Sequence, residues 1–135
     1  ETEDVTQHRG HGIVIVMDDE IVIREVLIKN LESFGYTVVT AANGEEVLTM
    51  LQDRIIDKER VAAMLFDLTV PGGMGGIDAL AAIRRMGLLA PAFVMRGYSE
   101  NQAMVSPHSY GFAASLHKPF SMQDLANMFN QHLGR

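Results

Sequence analysis

Apolar and polar positions along the chain fall into two alternating textures. One is the short, unbroken apolar run, rich in β-branched residues, which predicts a buried strand. Such runs occupy Ile13–Met17 and residues 36–40, 61–66, 92–95 and 113–117. The other places apolar residues three or four apart, which predicts a helix with one buried stripe. In Ile21–Phe34 that stripe is Ile23, Leu27, Leu31 and Phe34, and Gly35 supplies the stop. Asn43 is placed to cap a helix through NGEEVLTMLQDRI, with Glu45 and Glu46 in the first turn, where the helix dipole favours acids. After the turn PGGMGG, residues 77–86 put Ile77, Leu80 and Ile83 inward. Residues 99–110 are only weakly helical and are interrupted by Pro107, and Ser121 caps a last helix with Met122, Leu125, Met128 and Phe129 facing in.

Strand and helix thus alternate five times, the pattern of parallel strands joined by right-handed helical crossovers with helices on both faces. The strands lack polar alternation, as strands covered on both sides should. The length of 135 residues suggests one domain, with 12–133 as its body. The polar stretch 1–11 reads as a linker or lead-in, and its His8 and His11 as exposed linker histidines rather than metal ligands. Position 1 is Glu, so the chain reads as processed or cut from something longer.

Composition narrows the chemistry. There is no cysteine, which removes disulfides, thiolate catalysis and Cys-based zinc sites and fits a reducing, cytoplasmic setting. A net charge of −6 argues against a general nucleic-acid surface and favours basic partners or metal cations. No apolar run approaches the ~20 residues needed to cross a bilayer, and no secretory leader is apparent.

In open α/β sheets the functional crevice lies beyond the carboxyl ends of the strands. The first predicted strand is followed by Asp18, Asp19 and Glu20, the third by Asp67, the fourth by Arg96 and the fifth by Lys118. Carboxylates so gathered repel one another unless a cation sits among them. Hard oxygen ligands suit Mg²⁺, and a lysine beside them pairs with a carboxylate at rest or with a phosphoryl oxygen. An aspartate in that setting can act as a nucleophile toward phosphorus. Singly, each feature reads as a solvated turn, a helix cap or a surface lysine. Their meeting at one edge is what points to function.

The segments VMDDE (residues 16–20), FDLTVPGGMGG (66–76), GYS (97–99) and HKPF (117–120) together resemble the receiver domains of two-component signalling proteins, over about residues 12–133. The wording DLTVPGGMGG followed by GYS, and the RGHG lead-in, are most similar to receivers fused to the carboxyl end of hybrid sensor histidine kinases. The resemblance implies a flavodoxin-like (βα)5 three-layer sandwich with a parallel five-stranded sheet of order 2-1-3-4-5. It implies that Asp67 accepts a phosphoryl group from a phosphohistidine. Mg²⁺ (or Mn²⁺) would be held by Asp19, Asp67 and the backbone carbonyl of Thr69, with Asp18 assisting through water, and Lys118 would bind a phosphoryl oxygen. A cis peptide before Pro119 is also implied. The partners would be a sensor histidine kinase or a histidine phosphotransfer protein, with no direct nucleic-acid or membrane contact and with dimerisation left open. Such a domain is a signalling module that catalyses its own phosphorylation rather than an enzyme with a separate substrate.

Two positions depart from the family. Arg96 stands where a Ser or Thr hydroxyl is usual, and Ser115 where an aromatic residue is frequent. Nucleophile, metal ligands and lysine are intact, so it is the conformational readout that these departures put in question. A pseudo-receiver, an interaction module in which Arg96 pairs with Asp67 and phosphorylation drives no switching, is the alternative. A phosphatase or mutase using Asp67 as nucleophile is disfavoured, because Thr69 occupies the place of the second acid.

Overall fold

The computed structural model describes residues 8–96 and 106–134. Five strands form one sheet: β1 (Ile13–Met17), β2 (Thr37–Ala41), β3 (Val61–Asp67), β4 (Ala92–Arg96) and β5 (Ala114–His117). All pairings are parallel, in the order β2-β1-β3-β4-β5. Among the described residues four helices accompany it: α1 (Ile21–Phe34), α2 (Gly44–Gln52), α3 (Gly76–Arg85) and α4 (Met122–Leu133). This is the flavodoxin-like arrangement in the order expected from the sequence. The weakly helical stretch before β5 lies outside the described residues up to 105, and Pro107–Tyr110 forms a 3-10 turn.

Side chains alternate across the strands, yet both faces are apolar, because each face carries a helical layer. Ile15, Met17, Met64, Phe66 and Val94 pack with Val47, Leu80 and Ile83 beneath α2 and α3. Val14, Val16, Leu65 and Phe93 pack with Leu27, Leu31, Phe34 and Phe129 beneath α1 and α4. Helix ends are set by local chemistry. The Asn43 side chain accepts from the Glu46 N–H, and Ser121 and Asp124 form a reciprocal capping box on α4. Gly35 closes α1 at φ 113°, a conformation open to glycine.

Three expectations are corrected. Met122 does not face inward: it is 43% exposed. As the first residue after the cap its side chain tilts toward the helix start, away from the core. The α2 helix ends at Gln52, before the DRI of its segment, and Arg54 turns the chain with φ 60°. His8 is not an exposed linker residue but is 1% exposed. Its two ring nitrogens meet Tyr36 and Asn130, partners far off in sequence that give no local signal.

Candidate functional site

The site is built where four parallel strands end at the same edge. After Met17 the chain leaves the sheet through Asp18, whose N–H donates to the Ala41 carbonyl at 3.1 Å. The Asp18 side chain is fully buried, and its Oδ1 accepts from the Glu20 N–H at 2.9 Å. Asp19 and Glu20 stand exposed beside it, the three acids within 4.8 Å of one another. Asp67 closes β3 and is 2% exposed. Beyond it, the Leu68 N–H donates to the Met95 carbonyl and the Lys118 N–H to the Arg96 carbonyl, so the backbone of the β3, β4 and β5 ends is tied together.

Among the described residues Lys118 is the cation paired with these acids. Its Nζ lies 2.7 Å from Asp18 Oδ2, 3.8 Å from Asp67 Oδ1 and 4.0 Å from Glu20 Oε2. The shortest of these is a tight ion pair with a carboxylate that water does not reach. Asp67 has less support. Its Oδ1 is buried without a hydrogen-bond partner. Burial, then the neighbouring Asp18 charge, pushes its carboxyl up to about 7 against the opposing pull of Lys118, and the nearby Asp19 adds to the rise. A buried acid oxygen with no partner, facing other acids, suits a cation or an incoming electrophile. The donor set is all oxygen, with Asp19 and Asp67 adjacent and Asp18 already engaged, and it fits Mg²⁺.

Asp19, Glu20, Asp67, Thr69, Arg96 and Lys118 line one open crevice of about 490 Å³. The structure thus brings together the acids, the lysine, Thr69 and Arg96. Ser115, paired in register with Val94, is half-buried and does not line the crevice. The Lys118–Pro119 peptide is cis, as the resemblance implied. The GYS segment falls outside the described residues.

The sequence reasoning missed two contributors. Arg24, in the first turns of α1, donates from Nη1 to the Asp18 carbonyl at 2.7 Å and so holds the acid-bearing turn. Its signal was a basic residue six positions after Asp18, in a segment otherwise read for its apolar stripe. The other is the glycine pair that opens α3. A Cβ on Gly76 would lie 2.8 Å from the Asp67 carbonyl oxygen, and one on Gly75 would strike the Leu68 carbonyl. These glycines let the helix start directly behind the crevice.

Comparison with known proteins agrees with this fold. The family described as response regulator receiver domain matches residues 14–130. The DNA-binding transcriptional regulator NtrC of Salmonella typhimurium is 35% identical over 113 residues, 84% of this chain and 23% of that protein. This chain therefore spans about a quarter of the length of the NtrC relatives it matches. Sporulation initiation phosphotransferase F of Bacillus subtilis is 27% identical over 120 residues, covering 89% of this chain and 92% of that protein. Among solved structures, the Vibrio cholerae chemotaxis protein CheY4 superposes with a TM-score of 0.77 at 26% identity, over 90% of this chain and 98% of that one.

Proposed function

The chain belongs to the response regulator receiver domain family, and from that premise we propose that it is a phosphoacceptor module taking a phosphoryl group onto Asp67 from a phosphohistidine. The single observation that carries this reading is the buried Asp67 Oδ1, without a hydrogen-bond partner and 3.8 Å from Lys118 Nζ, in a crevice it shares with Asp19 and Glu20. In the transfer a carboxylate oxygen of Asp67 forms the new bond to phosphorus, the P–N bond of the donor breaks, and the donor imidazole leaves. Lys118, tied to Asp18 at rest, turns its ammonium toward a phosphoryl oxygen. Asp19, Asp67 and the Thr69 carbonyl would hold Mg²⁺ or Mn²⁺, with Asp18 acting through water. When bound, the ion neutralises charge among the acids and on the phosphoryl oxygens.

The donor is a sensor histidine kinase or a histidine phosphotransfer protein in a cytoplasmic relay. The DLTVPGGMGG wording supports a hybrid histidine kinase as the parent protein. The interaction-only alternative drew on Arg96 pairing with Asp67. Among the described residues the cation within ion-pair reach of Asp67 is Lys118, which weighs against it.

Beryllofluoride or acetyl phosphate with Mg²⁺ tests the reading. Intact mass should show one added phosphoryl group on the wild type with acetyl phosphate and none on Asp67→Asn. Equal labelling of that variant, or none of the wild type, sinks the assignment.

A further inference from the structure

At the other end of the sheet from the crevice, the lead-in is bound into the fold. The Gly10 N–H donates to the Phe34 carbonyl at 2.9 Å, and the Thr37 N–H donates to the Gly12 carbonyl at 2.8 Å. Arg9 Nη1 donates to the Ser33 carbonyl. His8 fills a socket between the end of α1, the start of β2 and the last turns of α4. Its ring stacks on Tyr36, with centroids 5.6 Å apart, and meets Phe34 and Phe129 edge-on. Nδ1 lies 2.8 Å from its hydrogen-bond partner Asn130 Oδ1, and Nε2 shares a hydrogen bond with the Tyr36 hydroxyl. Both ring nitrogens are thus engaged inside the fold, which leaves His8 no role as a metal ligand.

We infer that residues 8–12 are a latch that couples the preceding chain to the carboxyl-terminal turns of α4, with His8 as its bolt. The inference is independent of the phosphoacceptor reading. The His8 ring contacts Phe129 and Asn130 of α4 directly, so displacement of the chain leading into it acts on α4 through this socket. Withdrawing the ring leaves the Tyr36 hydroxyl and Asn130 Oδ1 without these partners in an apolar socket and uncovers Phe34 and Phe129. A packed socket of this kind is either filled or open, because close-packed side chains do not deform continuously. The start of α4 is held separately by the Ser121–Asp124 capping box, next to Lys118. Opening the latch therefore frees the far end of α4 while its near end stays anchored.

Amide hydrogen exchange on the full 135-residue chain tests this. The variants are His8→Ala, and Gly10→Ala, whose Cβ collides with the Tyr36 hydroxyl and displaces the strap without touching His8. In the wild type, the Gly10 and Thr37 amides should be protected. In both variants exchange at residues 9–12 and 127–133 should rise about tenfold or more, while the amides of β1 and β3 keep their wild-type rates. An unprotected Gly10 amide in the wild type overturns the latch. So does loosening of 9–12 with 127–133 unchanged, or a uniform rise across the sheet, which would report only a loss of global stability.

Discussion

At the scale of single residues, the pH behaviour of Asp67 gives a signed expectation. Its carboxyl is raised from 3.8 to about 7 in the fold, by burial first. Between those values the folded protein keeps a proton that the unfolded chain has lost, so the metal-free protein loses stability as pH rises through the window. Asp67→Asn removes that cost. Chemical denaturation in EDTA should show no gain for the variant near pH 4 and a gain of about 2 kcal/mol above pH 7, roughly half the full linkage at ~1.4 kcal/mol per unit, since water entry relaxes the site. A variant less stable than wild type at pH 8 would contradict the strained-acid account. Arg96 is the second residue with a distinct expectation. It lines the crevice where a hydroxyl is usual in the family, and we propose that it weakens the link between phosphorylation and loop movement. Arg96→Thr should still accept a phosphoryl group on Asp67 but should show larger beryllofluoride-induced amide shifts across residues 96–118. Wild-type shifts as large as those of the variant would refute this. Asp18, Asp19, Asp67 and Lys118 were legible because a polar residue directly after an apolar strand has one place to go. His8 was not, because its partners, Tyr36 and Asn130, lie 28 and 122 residues away.

At the scale of elements, the strands were the most readable, since an unbroken apolar run leaves little choice once both faces are covered. Helix ends were less so. The LTMLQ periodicity runs on into DRI, but Arg54 adopts φ 60° and α2 stops at Gln52, a backbone choice that hydrophobic spacing does not encode. The PGGMGG stretch reads as a turn for any protein. Its specific demand, that α3 begin against the backbone of Asp67 and Leu68, emerges only from the packing. Gly76→Ala should therefore cost about 1–3 kcal/mol, the range for overpacked sites, and should shift the Asp67 and Leu68 amide resonances. A neutral Gly76→Ala would show that α3 can retreat freely. Ser121→Ala removes one half of the capping box and should cost about 1 kcal/mol, measurable as a lowered denaturation midpoint.

At the scale of the whole molecule, cation binding and folding are linked, because an ion that prefers the folded acids stabilises the fold. Mg²⁺ at about ten times its Kd should add ~1.4 kcal/mol, seen as a rise in Tm of a few degrees. In Asp19→Ala the rise should vanish, and the metal-free variant should melt higher than wild type through relief of like-charge repulsion. An unchanged wild-type Tm in millimolar Mg²⁺ would count against the site. The placement of Asp67 on β3 has a further consequence. That strand is the sheet's middle member, paired with β1 on one side and β4 on the other. Fraying of the edge strands β2 or β5 leaves the backbone that carries Asp67 paired. Pulling from the carboxyl-terminal side would therefore remove β5 and then β4 before reaching the Asp67 strand, whereas pulling from the amino-terminal side would strip β1, a direct partner of β3, first.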